Sequence, residues 1–297
     1  MTTTAPERVR DAPSAGALLA DPQVTPDSIT AHLKAIADID QRVQTAVEII
    51  DAADEIAHPE RHKRDLAILK LLRPFTEITH DYKPVEDPLR VARGDWDVLG
   101  VPVRGTSLVT SPDGGRKQVP GPVVTGTYAG RADGHPLIDV GGRVVPAVRN
   151  SVKRSDHIDP EIAAAAEAEL KLVRARKNRD IKNAYAEAGA AQVWKPAAVS
   201  QHVGVSRSLV VDRIRGREPV TLPGWSIPDA EQIAPAAARA VRRMEDLRAA
   251  AQAVRNKDID FLLSSPADGG LARSNAEVAR MAKRTTARIS QRRTGGR

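Results

Sequence analysis

The chain has 297 residues, 28% of them charged and 41% apolar, with 45 Lys and Arg against 38 Asp and Glu for a formal net charge of +7. That is room for two or three ordinary soluble domains and excludes a fibre, a disordered polyelectrolyte or a membrane bundle. There are no cysteines, which excludes disulfides, thiol nucleophiles and thiolate metal sites and fits a reducing compartment.

Residues 1–28 are rich in Thr, Pro, Ala and Asp without an apolar period, and lack a charged-then-apolar leader; they are expected to form a flexible arm. Residues 29–94 are expected to form an N-terminal helical domain. Ile29, Leu33, Ile36, Ile39, Val43, Val47 and Ile50 recur every three or four residues, as on one helix face. His58-Pro59-Glu60 is expected to break that helix, and a second one carrying Leu66, Ile68, Leu69, Leu71 and Leu72 to stop before Pro74. Residues 95–150 change to short β-like runs at 96–101, 107–110, 123–128, 137–140 and 143–148, separated by Pro112-Asp113-Gly114-Gly115, Asp133-Gly134 and Gly141-Gly142. They predict a small antiparallel barrel, similar to SH3-like or OB-like modules. Residues 151–222 open with an Ala-rich helix from Glu161 to about Ala188, closed by Gly189. Residues 223–297 carry, after a linker at 221–229, a long helix over roughly 230–255 and a basic end.

The positive charge is concentrated. Residues 171–216 hold ten Lys or Arg and three acids, and residues 271–297 hold eight and one, so each block is net +7 and the remainder of the chain is net −7. Two basic blocks on a slightly acidic body predict contact with a polyanion at two places. The blocks also repeat each other. Lys177-Asn178-Arg179-Asp180-Ile181 returns as Arg255-Asn256-Lys257-Asp258-Ile259, and 196–216 aligns with 275–295, closing on Gly216 and Gly295. A weaker echo, His62-Lys63-Arg64-Asp65-Leu66, lies in the N-terminal helices.

In 196–216, Pro196 can start a short helix, Val199 and Val203 face inward, Gly204 permits a tight turn, Val205 plugs the core and Ser206 caps the next helix, whose Val210 and Ile214 are buried at four-residue spacing. Arg207, Ser208, Val211, Asp212 and Arg215 then point outward. This segment resembles the helix-turn-helix of bacterial DNA-binding proteins such as LacI-type repressors and region 4 of sigma factors. The resemblance covers about 20 residues in each copy and implies a second helix set in the major groove, where Arg can fork onto guanine. The second copy keeps Val278, Ala279, Ala282 and Ile289 as its inner set and Thr285 as cap, but has Lys283 where the turn glycine is expected. Its outer face would carry Arg284, Thr286, Arg288, Gln291, Arg292 and Arg293, with phosphate clamping the expected role of most of these arginines and base reading that of Arg288 and Gln291. A plain structural helical hairpin is the alternative reading of the first copy, and the turn of the second is expected to be distorted by Lys283.

The expected fold class is therefore mainly α, with duplicated helix-turn-helix units and a small central antiparallel β-barrel-like module. The expected function is sequence-specific binding of double-stranded DNA by a cytoplasmic, nucleoid-associated regulator or a replication, partition or maintenance factor of a mobile element, in wording similar to that of high-GC actinobacterial plasmids and phages. Residues 29–150 would serve self-association or a partner protein. The alternative is that the β module binds single-stranded nucleic acid, RNA or a protein partner; Trp96 and Tyr128 are the candidates for a stacking platform there, with core packing the expected job of both in a chain this poor in aromatics. No catalytic group, metal site or cofactor is expected. His58 and His62 lack a third ligand, no phosphate-cradling GxxxxGK[ST] occurs, and Asp51, Asp54 and Glu55 read as a solvated helix face.

Overall fold

The computed structural model describes residues 14–110, 118–214, 221–264 and 269–293. The fold is mainly α with one small sheet, and it divides into two compact units: the described residues up to Leu71 together with those from Pro196 onward, and Leu72–Lys195. The expected 151–222 stretch is therefore shared between the two units at Lys195 and Pro196.

The first unit begins with α1 (Ala15–Ala20) and α2 (Pro26–Ala35). Residues 14–28 are thus not a flexible arm. Leu19 is fully buried and joins Ile29 and Leu33 in a core completed by the two long helices of this unit, and that burial orders a segment with no visible period of its own. Residues 1–13 of the expected arm lie outside the described residues. The apolar run from Ile29 to Ile50 is not one helix either. It is interrupted after Ala35, and Asp38 restarts it by accepting the backbone N–H of Gln41 at 2.9 Å.

The restarted helix is α3 (Ile39–Arg93), which runs unbroken through Pro59, Pro74, Pro84 and Pro88 and passes from the first unit into the second. Each proline removes one backbone hydrogen bond and crowds the preceding turn, at a cost of about 3 kcal/mol. The expected break at Pro59 does not occur because the buried stripe keeps helical phase across it: Ile49, Ile50, Ala53 and Ala57 lie before it, and Leu66, Ile68, Leu71 and Leu72 lie after it. The helix stops at Gly94, which takes φ +109° and donates its N–H to the carbonyls of Arg90 and Val91.

In the first unit α3 lies antiparallel to α7 (Ile227–Leu263). Arg42 forks onto Asp258 at 2.7 and 2.9 Å, Arg248 meets Asp54 at 2.9 Å, and Arg61 meets Glu245 at 3.4 Å. One core lies between their middles, with Ala46, Ile49, Ala53 and Ala57 against Met244, Leu247 and Ala251. The expected linker at 221–229 is shorter than predicted, since Ser226 and Asp229 already form a capping box at the start of α7, and the helix continues through Pro235.

The second unit joins the end of α3 to a five-stranded antiparallel sheet and to α4 (Pro160–Glu187). Asp159 caps α4, and the chain leaves it through Gly189 at φ +70°. Tyr82 donates to Asp180, Lys177 pairs with Glu86, and Arg93 meets Glu167 at 2.8 Å, fastening α4 to α3. The strands are β1 (Pro102–Thr110), β2 (Gln118–Ala132), β3 (His135–Val140), β4 (Arg143–Pro146) and β5 (Lys153–Arg154), in the order β4-β3-β2-β1-β5. This is an open sheet and not the expected barrel. An isolated bridge from Ser107 to Ala147 leans toward closure, but β5 is two residues long and β4 ends on Pro146, which has no N–H to extend the ladder. The expected strand at 96–101 is a series of turns. Its Val98 and Val101 are buried in the sheet core beside Tyr128 and Ile138, so their apolar character reports burial and not strand pairing.

Candidate nucleic-acid interface

The two repeated segments fold as two pairs of short helices, both in the first unit. The first pair is α5 (Pro196–Val203) and α6 (Arg207–Ile214); the second is α8 (Asn275–Met281) and α9 (Thr286–Arg293). Both α6 and α9 are eight residues long, and they start 79 residues apart, the spacing of the sequence repeat.

The two turns share one closing hydrogen bond. In the first, the N–H of Val205 reaches the carbonyl of Ser200 at 3.1 Å; in the second, the N–H of Arg284 reaches that of Ala279 at 2.9 Å. Gly204 has φ +71° and Lys283 φ +47°. Lys283 thus adopts the left-handed conformation of the glycine, although its N–H reaches the carbonyl of Arg280 three residues back at 3.3 Å, where that of Gly204 reaches Ser200 four residues back at 3.0 Å. Ser206 Oγ accepts the N–H of Leu209 at 3.2 Å, capping α6, and Val210 and Ile289 each close their helix's first turn onto the carbonyl of the residue before it, Ser206 and Thr285. Val199, Val203 and Val210 are buried in one pair, Val278, Ala282 and Ile289 in the other. Ala279 is buried too, while Val205 is only half-buried, as is Arg284 at the matching position.

Each pair is fixed to the long helices. Arg213 of α6 reaches Asp65 of α3 at 2.9 Å, a carboxylate that is 9% exposed at its side chain and also holds Arg64. Arg242 of α7 donates to the carbonyl of Gly204 at 2.5 Å, and His202 Nε2 lies 2.8 Å from the carbonyl of Glu231. At the second pair, Lys283 meets Asp51 at 2.8 Å and Arg273 meets Asp40 at 2.6 Å. The Asp51 hydrogen bond holds the Lys283 ammonium above the ordinary lysine range. Asp51 and Asp54 are therefore not merely a solvated face, since both take part in ion pairs of this unit. Ser274 and Glu277 form the capping box of α8, and the Ser274 hydroxyl keeps the Glu277 carboxyl below its ordinary range.

On the outer side of α6, Arg207, Ser208 and Asp212 are exposed and Val211 is half-buried; Ser208 Oγ lies 3.0 Å from that of Ser206. Thr285 and Thr286 are exposed at the start of α9. Arg215, Gly216 and Gly295 lie outside the described residues, as do the side chains of Ile214, Arg288, Gln291, Arg292 and Arg293, whose backbones belong to α6 or α9. The anchoring residues Arg213, Asp65, Arg242 and Asp51 are not distinguished by sequence reasoning, because each stands in a charged string that reads as solvent-facing. The one available signal is the echo of Asp258 in Asp65.

In the second unit, Trp96 and Tyr128 pack edge to face at 5.5 Å, with Arg131 over the Trp96 ring at 5.7 Å. Tyr128 is buried in the sheet core. A polar cavity of about 500 Å³ is lined by Trp96, Arg174 and the end of α3, where Arg90 and Arg93 are bound to Asp95 and Asp97 or Glu167. Among the described residues no three His, Asp or Glu side chains come together as a metal site, and no helix is long and apolar enough to cross a membrane. Comparison with known protein families, with curated proteins and with solved structures finds no match for this chain.

Proposed function

We propose that the chain is a non-enzymatic, sequence-specific double-stranded DNA-binding protein that reads duplex DNA with α6 and α9, serving as a transcriptional regulator or as a replication, partition or maintenance factor. The observation that carries this reading is the pair of matched helix–turn–helix geometries, each coinciding with one of the two basic blocks. A short capped helix with Arg207 and Ser208 exposed at its N-terminal end presents a forked donor and a hydroxyl where base edges and phosphates of a major groove would lie. The basic side chains around α9 supply the salt-dependent part of the affinity through counterion release. The anchors on α3 and α7 hold both helices without using Arg207 or Ser208.

The test is binding to duplexes selected from a random pool, with anisotropy titration at several salt concentrations. Arg207→Ala combined with Arg288→Ala is expected to weaken binding about 10- to 100-fold and to flatten the salt slope. Unchanged affinity across salt would defeat the proposal.

A further inference from the structure

The two helix pairs sit at opposite ends of the α3–α7 couple, and the two long helices exchange roles between them. At the first pair the turn is held from α7, by Arg242 on the Gly204 carbonyl, and the end of α6 is pinned to α3 by Arg213 on Asp65. At the second pair the turn is held from α3, by Asp51 on Lys283, and Ile289 of α9 packs on Ile259, Leu262 and Leu263 of α7. The remaining anchors obey the same exchange, with Glu231 of α7 serving the first pair and Asp40 of α3 the second.

A nearly constant offset relates these positions. Asp40 and Glu231 are 191 residues apart, as are Asp51 and Arg242, and the two buried aspartates among the described residues, Asp65 and Asp258, are 193 apart. A slide along the helices would leave each long helix in the same role at both ends. Exchanging two antiparallel helices is instead what a two-fold axis between them does, and the Asp54–Arg248 ion pair, 194 residues apart, marks where that axis crosses. The separation of the reading helices follows from helix rise: the Arg61–Glu245 ion pair sets Asp65, which pins α6, level with about residue 241 of α7, and α9 packs on Ile259 to Leu263, about 18 to 22 residues on, or about 27–33 Å at about 1.5 Å per residue. One turn of B-DNA is about 34–36 Å.

Resting on the DNA-binding reading above, we infer that a single chain binds an inverted repeat whose half-sites are centred one helical turn apart on one face of the duplex. One polypeptide then does what two-fold dimers of such readers do with two.

The experiment uses the full chain and duplexes enriched from a random pool. The enriched sequences are expected to be inverted repeats with centres about 10–11 base pairs apart, and sedimentation of the complex is expected to give one chain per duplex. Inserting about 5 base pairs between the half-sites turns one of them to the far side and should lower affinity about 100-fold or more. Direct repeats, indifference to that insertion, or two chains per duplex would each overturn the inference while leaving DNA recognition standing. A pool that yields no enriched duplex overturns the DNA reading itself, and this inference with it.

Discussion

The two helix pairs reach one backbone geometry by different means. The first uses Gly204, which enters the left-handed region without steric cost, and a carbonyl held by Arg242. The second places Lys283 in the same region, against a steric preference of about 1 kcal/mol, and adds the Asp51 ion pair and a capping box at Ser274 and Glu277 that α5 lacks. The difference teaches that the turn is dictated by what surrounds it. Inner residues at matched spacing and anchors on two long helices fix the path, and the residue at the turn only adjusts its energy.

The most severe way to break this comparison is to remove the buried carboxylates. Asp65→Ala leaves Arg213 and Arg64 without their acceptor, and Asp258→Ala does the same to Arg42; each is expected to destabilise the fold by about 3 kcal/mol in urea unfolding. A small loss at Asp65 would show that α6 does not depend on its tie to α3, and a small loss at Asp258 that the α3–α7 couple does not depend on the Arg42 fork. Next in size are the inner residues, where Ile289→Ala should cost about 3 kcal/mol and Val210→Ala about 2 kcal/mol by the same measurement. The turns themselves sharpen the contrast. Gly204→Ala should cost about 1 kcal/mol, whereas Lys283→Gly should gain about 0.5 kcal/mol, because relief at φ +47° outweighs an ion pair that is mostly exposed.

The smallest effects are electrostatic. The pKa of Lys283 is raised by Asp51, so the contribution of that pair is fully present below the ordinary lysine value of about 10.4 and is lost as pH rises through the folded value. Glu277 and Asp229 are lowered by the Ser274 and Ser226 hydroxyls, so the caps of α8 and α7 contribute above the ordinary carboxylate values and weaken as pH falls through the lowered ones. Titration of these groups by NMR in the folded chain should show all three displacements in those directions.

Much of the helical fold is legible from local signals. Pro160 and Gly189 bracket α4, and the 79-residue repeat places α5 with α8 and α6 with α9. The misreadings share a cause, which is that local rules are outweighed by burial. Four prolines do not stop α3 because its apolar stripe stays in phase, Leu19 orders a segment with no period, and Val98 and Val101 serve the sheet core without pairing. The outer residues of the proposed interface are named by spacing alone, since a surface position is whatever the inner set leaves over. The anchors are not, because a buried aspartate such as Asp65 differs from a solvated one only through partners about 150 residues away in sequence.

The first unit is assembled from chain segments separated by the whole of the second, and this orders events during synthesis. Arg42 must wait for Asp258, 216 residues later, and Asp40 for Arg273, 233 residues later. At about 5–20 residues per second that is an interval of about 10–50 s. During it the apolar side of α1, α2 and the first half of α3 has no α7 to cover it, while residues 72–195 already contain all the partners of their own unit. A ribosome pausing between about residue 195 and residue 263 therefore leaves one unit complete and the other with an open apolar face, the state most exposed to chaperones and proteases.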